Sequence, residues 1–395
     1  STLNSATTGS IDASSVTSIS GSGSDLVGIY GASGEISGLG NENVSITDTG
    51  TLASSTVTSI DAYTTGTVTL SGAGSLTLSS TAGQTVDLSG VTNSLSGTLT
   101  INDSTGDEII IGTSGNDIIN ISSGSDTVNA GNGADTINIA IDNLDNADTV
   151  NGGNGTDSIN FSSSGTLTST DLTNVSDVEN LNFSSGDDTF SFTDKADYDS
   201  TISKFSAVSG GSGSDSIDFS SAVNGDLDFS KLSSFETLNL SGSADTLTIS
   251  GDEPSTINGG AGNDQFTLDF STVKNLNGGS DTDTVKFTGN TSSISTDTDF
   301  STTSSFTNIE KLDITSLNLN TSDDNTEFNF TGAFLDSMTG SDTGNLTLSL
   351  TSSQVEKIKF TDSSSVEHNS YNTSSSSDIA DNTTYTIGNN TLTID

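Results

Sequence analysis

The chain has no cysteine and no tryptophan, and it has one proline, one methionine and one histidine. No arginine occurs, so eight lysines face 52 aspartates and glutamates, for a net charge of −44. Each absence removes a class of function. Without cysteine there is no disulfide staple, which fits a bacterial secreted protein that manages without one. A surface this acidic has nothing with which to neutralise phosphates, so nucleic acid is excluded as a partner. Anionic membrane surfaces are disfavoured for the same reason. No apolar run exceeds the three residues of Ile109–Ile111, whereas a membrane helix needs about 20. No membrane insertion is expected. The opening STLNSATTGS lacks the basic and apolar regions of a secretory signal. It implies a processed product, a fragment, or export by another signal.

The inventory also argues against an enzyme. A Ser–His–Asp triad would have to use His368, which sits among polar residues with no nucleophile elbow and is expected in an exposed loop. Zinc would find at most one imidazole, and neither HExxH nor GxxxxGK[ST] occurs. Composition leaves open a carboxylate pair of the glycoside-cleaving kind. Sugar clefts usually also present tryptophan, tyrosine or basic residues, and these are absent or scarce here. No catalysis is expected.

Only 29% of the residues are apolar, a value typical of disordered chains. The apolar residues are nevertheless ordered along the sequence. They fall in alternating triplets such as VTL (68–70), LTL (76–78), LTI (99–101), INI (137–139) and FTL (266–268). Alternation of this kind specifies half-buried strands. Gly, Asn and Asp between the triplets specify tight turns. No apolar stripe of period 3.6 persists, so long helices are excluded. Phe161, Phe183, Phe266 and Phe287 fall at inward strand positions and are expected in the core.

The stretch GTSGNDIINISSGSDTVNAGNGADTINIA (112–140) repeats a glycine–aspartate pair every nine residues: Gly115/Asp117, Gly124/Asp126 and Gly133/Asp135. In a β-roll two nonapeptides make one coil, so repeats eighteen residues apart stack directly. Asp117 then stacks on Asp135, with Asp126 on the opposite side. Asp148 and Asp157 continue the series after one four-residue insertion near 141–146, giving columns 117–135–157 and 126–148. Further copies are GGNGTDSINF (152–161, with Gly153, Gly155 and Asp157), GGSGSDSIDF (210–219, with Gly211, Gly213 and Asp215), GGAGNDQFTL (259–268, with Gly260, Gly262 and Asp264) and GGSDTDTVKF (278–287, with Gly279, Asp281 and Asp283). Degenerate forms occur at SSGDDTFSF (184–192, through Asp187), SGSADTLTI (241–249, through Asp245) and SGSGSDLVGI (20–29). A second motif, apolar-Glu-x-apolar-x-apolar, recurs at VENLNF (178–183), FETLNL (235–240), IEKLDI (309–314) and VEKIKF (355–360). It reads as a strand with an outward acid.

Calcium takes six to eight oxygens and tolerates irregular geometry. In GGxGxD the glycines turn the backbone so that carbonyls point inward, and the aspartate supplies charge. Stacked turns complete one shell together, so the metal cross-links coils. The expected ligand turns are those of Gly115, Asn116 and Asp117; Gly124 and Asp126; Gly133 and Asp135; Asp148; and the four later copies.

These repeats resemble the RTX nonapeptide family over about residues 106–290. The Thr/Ser/Asn-rich texture of the whole chain is most similar to RTX-type S-layer proteins of Gram-negative bacteria. The resemblance implies several bound Ca2+, export by a type I machine, folding outside the cell and assembly into a surface lattice or filament. The fold expected is all-β, a right-handed parallel β-solenoid or β-roll. Residues 1–105 would form a β-solenoid with few acidic sites, 106–290 the calcium region, and 291–395 a C-terminal β region or cap. The partners expected are further copies of the chain and cell-surface polysaccharide. A second expectation from the same resemblance is an adhesin segment that binds glycans or cells.

Overall fold

A computed structural model of the chain describes residues 9–251, 254–269 and 275–288, and short segments within 298–394. Its strands are two to five residues long and pair almost throughout in parallel with the strand one coil away. The chain is an all-β parallel solenoid. It divides into two compact units: Ser1–Asp188 with Thr201–Gly213, and Thr189–Ser200 with Ser214–Asp395.

In the first unit the early coils have three faces. Asn43–Ile46, Val68–Leu70 and Val91–Asn93 stack on one face. Gly50–Ala53, Leu76–Ser79 and Leu99–Asn102 form the second. Thr85–Asp87 and Ile109–Ile111 form the third. After Val91–Asn93 the first of these faces ends. The other two continue through Asp117–Ile121, Thr136–Ile139 and Ser158–Phe161 on one side, and Thr127–Asn129 and Thr149–Asn151 on the other. The compositional change near residue 105 therefore falls inside this unit, where three-faced coils give way to two-faced ones.

The alternation places one or two apolar residues inward per strand. Ile110, Val128 and Val150 stack as one column and Ile119, Ile137 and Ile159 as another, each no more than 1% exposed. Each such side chain contributes about 1.5–3 kcal/mol on burial. Phe161, Phe183, Phe266 and Phe287 are buried as expected. The four-residue insertion forms the 3-10 turn Ile141–Asn143, which tucks Ile141 and Leu144 inward. On the outer face the asparagines chain their amides: Asn120 donates to Asn102, Asn138 to Asn120 and Asn182 to Asn160, at 2.6–2.8 Å.

The second unit opens on the same two-faced plan, and later Thr298–Asp299, Phe328–Phe330 and Ile358–Thr361 pair in parallel as a further sheet. Ser216–Phe219, Thr237–Asn239, Thr256–Asn258 and Asn275–Asn277 stack on one face. Asn224–Asp228, Thr246–Ser250, Gln265–Asp269, Thr284–Thr288 and Lys311–Asp313 stack on the other. Its last pairs turn antiparallel. Glu367–Asn369 runs against Ile358–Thr361, and Thr383–Ile387 against Asn390–Ile394. His368, expected in a loop, thus lies in a strand, opposite Phe360. Of the polar stretch HNSYNTSSSSDIADNTT (368–384), expected as one flexible surface loop, residues 370–382 lie outside the described residues, as does Glu356.

One degenerate repeat is not a repeat. SGSGSDLVGI forms the α-helix Gly23–Gly31, whose N-cap Ser22 accepts the Asp25 N–H at 3.2 Å. Serine three residues before aspartate is also a helix-start signal. Leu26 and Tyr30, four apart, are buried on one side of this helix. It packs on the helix Ser54–Tyr63, which buries Val57 and Ile60. Among the described residues no helix is long and apolar enough to cross a membrane.

Gly155 shows why the turns need glycine. Its φ is +147°, and a Cβ there would lie 1.5 Å from the Gly133 carbonyl oxygen of the coil below. Gly155→Ala is expected to destabilise the protein by at least about 2 kcal/mol in urea unfolding, through strain and overlap. Gly28→Ala, where a Cβ meets nothing within 4 Å in the helix interior, is expected to stabilise by about 0.5–1 kcal/mol.

Candidate metal centre

Each glycine–aspartate turn ends in an acid that leads into the next strand, and the strand register stacks these acids in columns. In the first unit the Asp117 N–H donates to Asp135 Oδ1 at 2.7 Å and the Asp135 N–H to Asp157 Oδ1 at 2.8 Å. On the other side the Glu108 N–H donates to Asp126 Oδ1 and the Asp126 N–H to Asp148 Oδ1, both at 2.8 Å. Columns 117–135–157 and 126–148 are those the spacing predicts. The second unit holds the same device. The Asp245 N–H donates to Asp264 Oδ1 and the Asp264 N–H to Asp283 Oδ1, both at 2.8 Å. Every one of these aspartates is at most 3% exposed.

The glutamate motif ends the columns. The Asp157 N–H donates to Glu179 Oε2 at 2.7 Å, and the Asp215 N–H to Glu236 Oε2 and the Asp283 N–H to Glu310 Oε2 at 2.8 Å. These glutamates occupy the aspartate register rather than an outward strand position, which corrects the sequence-based expectation. The reason is the turn before them. Asp177, Ser234 and Asn308 take positive φ (52°, 57° and 54°) two residues ahead of Glu179, Glu236 and Glu310. The intervening Val178, Phe235 and Ile309 are buried. An apolar residue fills the turn, and the longer glutamate side chain reaches back to the last aspartate.

The columns differ in what their second oxygen meets. Asp117 Oδ2 accepts from the Thr113 N–H at 2.7 Å and from its hydroxyl at 3.0 Å. Asp148 Oδ2 accepts the Asp145 N–H at 2.9 Å, and Asp245 Oδ2 the Ser241 hydroxyl at 3.2 Å. These three acids are satisfied within the protein. By contrast, Oδ2 of Asp126, Asp135, Asp157, Asp264 and Asp283 is buried with no hydrogen-bond partner. Glycine makes the space beside several of them. A Cβ at Gly152 would lie 2.8 Å from Asp157 Oδ2, at Gly259 2.6 Å from Asp264 Oδ2, and at Gly278 2.5 Å from Asp283 Oδ2.

A single N–H to a charged group is worth about 1.5–3 kcal/mol. Burying a carboxylate costs several kcal/mol, so the rung does not offset it. Accordingly, burial pushes Asp135 up to about 7, helped by repulsion from Asp117 and Asp157. Burial pushes Asp264 up to about 7, helped by Asp283 and Asp245. It also raises Asp117 and Asp283 to about 6. The chain has little positive charge to answer with. No lysine precedes Lys195, and Lys204, in the first unit, donates to the Leu172 carbonyl at 2.7 Å. The neutralising charge must be a proton or a cation from solution. A donor set of carboxylate and carbonyl oxygens suits a hard divalent ion, and the buried acids fit one.

The remaining predicted residues fall as follows. Gly115, Gly124, Gly133 and Gly153 line stacked turns, and all but Gly115 have positive φ. Gly211 and Gly213 belong to the first unit and stack on the Ser184 and Gly186 carbonyls. Asp215 belongs to the second unit. Gly260, Gly262 and Gly279 have positive φ against the turns below them. Asn116 and Asp281 are turn braces, accepting from the Ala134 and Gly262 N–H at 2.8 and 3.2 Å. In SSGDD the buried acid is Asp188, which accepts the Gly165 N–H at 2.8 Å, while Asp187 is exposed. Gly186-x-Asp188 already carried the correct spacing. Glu108, missed by the aspartate pattern, follows the same rule as Gly106-x-Glu108. No family model, curated protein or solved structure matches this chain.

A raised carboxyl pKa means that the folded state holds its proton more tightly than the unfolded chain. The stability tied to these groups is fully present below their ordinary 3.8 and is lost as pH rises through about 6–7. With EDTA present, the melting temperature is therefore expected to fall between about pH 5 and about pH 8. A divalent cation should flatten or invert that slope. A chelated protein whose stability rises across this range would contradict the assignment of these acids as unneutralised.

Proposed function

We propose that the protein is a non-enzymatic, secreted structural solenoid that folds around calcium and self-assembles into a cell-surface layer or filament. The observation that carries this reading is the set of buried carboxylate oxygens, without partners, facing glycine-lined turns in a chain almost devoid of positive charge. Asp126, Asp135, Asp157, Asp264 and Asp283 would hold the ions, with turn carbonyls completing each shell. When bound, calcium supplies charge neutralisation and a cross-link between coils. Binding free energy then becomes folding free energy. The RTX-like repeats support calcium over other hard cations, and extracellular millimolar calcium matches the weak sites of such modules. Assembly follows from the same charge: acidic faces of neighbouring copies repel until a divalent ion bridges them. The adhesin reading shares the calcium chemistry and differs in partner.

The test is calcium titration of EDTA-treated protein, followed by far-UV circular dichroism and light scattering. The expected result is gain of β-structure with particle growth, reversed by chelator. Gain of structure without growth would favour an adhesin or spacer, and no response would sink the calcium reading. Asp135→Asn and Asp264→Asn are each expected to raise the calcium midpoint about tenfold, equivalent to about 1.4 kcal/mol. Asp281→Asn, in an exposed turn, should leave it unchanged.

A further inference from the structure

One acidic cluster reaches beyond the glycine–aspartate repeat. Asp103 follows the strand Leu99–Asn102, Glu108 precedes Ile109–Ile111, and Asp126 precedes Thr127–Asn129 one coil on. One oxygen from each lies within 4.8 Å of the others. Glu108 and Asp126 are 1% and 2% exposed. Neighbours hold one oxygen of Glu108 and of Asp126, and both oxygens of Asp103. Glu108 Oε1 accepts the Gly83 N–H at 2.7 Å and the Ser104 hydroxyl at 2.8 Å. Asp126 Oδ1 accepts the Glu108 N–H at 2.8 Å. Asp103 accepts the Ser122 N–H at Oδ2, 3.2 Å, and the Ser80 hydroxyl at Oδ1, 3.4 Å. Glu108 Oε2 and Asp126 Oδ2 are left buried and without a partner.

We propose that Asp103 and Glu108 complete, with Asp126, a site for a hard divalent cation at the junction where three-faced coils become two-faced. The site extends the calcium reading to Asp103, which no nonapeptide copy supplies, and it rests on that reading for the identity of the ion. Three carboxylates gathered from two successive coils, with no lysine earlier than Lys195 in the chain, concentrate negative charge that a proton or a cation from solution must answer. Their oxygens are hard donors and there is no imidazole or thiolate among them, which selects the calcium class over zinc. Because Gly83 and Ser80 belong to the preceding coil, an ion here ties three consecutive coils together. It would fix the first acid column to the part of the unit that lacks such columns.

The test counts bound calcium per full-length chain, by equilibrium dialysis and isothermal calorimetry with CaCl2, after EDTA has been removed. Asp103→Asn/Glu108→Gln is expected to bind one ion fewer than the parent, while Asp107→Asn, at an exposed neighbour, binds the full number. Asp103→Asn alone alters a half-buried side chain and keeps the Glu108–Asp126 rung. It should remain folded by circular dichroism in calcium, with one site weakened at least about tenfold. Unchanged stoichiometry and affinity in a folded Asp103→Asn protein would overturn this site while leaving the repeat sites standing. A parent protein that binds no calcium would overturn both.

Discussion

The structure depends on one recurrent contact, a buried carboxylate that accepts the backbone N–H of the acid one coil away. The contact fixes register, because a slip of one residue would remove the acid from the N–H and turn every apolar side chain outward. It also creates the main electrostatic problem of the fold. Each rung adds a buried negative charge to a column of negative charges, and the protein has almost no cations of its own. Apolar burial favours the stack, carboxylate burial opposes it, and the balance is set by protons or metal ions from solution.

The columns are bounded on chemical grounds. Glycine lets successive turns approach until carbonyls of one coil touch the backbone of the next, and it leaves room beside the free carboxylate oxygen. Where threonine, serine or a local N–H supplies a partner, as at Asp117, Asp245 and Asp148, the acid is satisfied internally. Where a buried Val, Phe or Ile fills the turn, glutamate reaches back and the column stops. A repeat that looks degenerate in sequence is thus a mixture of open, self-satisfied and terminal rungs. Different rungs are expected to respond differently to cations, although their motifs look alike.

Much of this was legible from the residues. The triplets gave the strands, the nine-residue spacing gave the columns and the insertion, and the inward phenylalanines were correctly placed. The errors share a cause, since short polar motifs have more than one local solution. Ser22 and Asp25 cap a helix because Leu26 and Tyr30, four apart, are buried on one side of a helix that packs on Ser54–Tyr63, where Tyr30 stacks on Tyr63, a partner more than thirty residues away in sequence. Glu179 was assigned outward because strand alternation does not register a positive-φ residue just before the strand. Asp187 was preferred to Asp188 although the Gly-x-Asp spacing favoured the latter.

The sequence by itself determined the strand alternation, the stacking period and the shortage of positive charge, because these are properties of local pattern and composition. The tertiary structure decided which carboxylate oxygens are left without a partner, where columns end and where three faces become two. Those outcomes depend on what the neighbouring coil presents, a contact between residues roughly eighteen to twenty-seven positions apart. No local motif encodes whether its neighbour one coil away will offer an amide, a hydroxyl or open space.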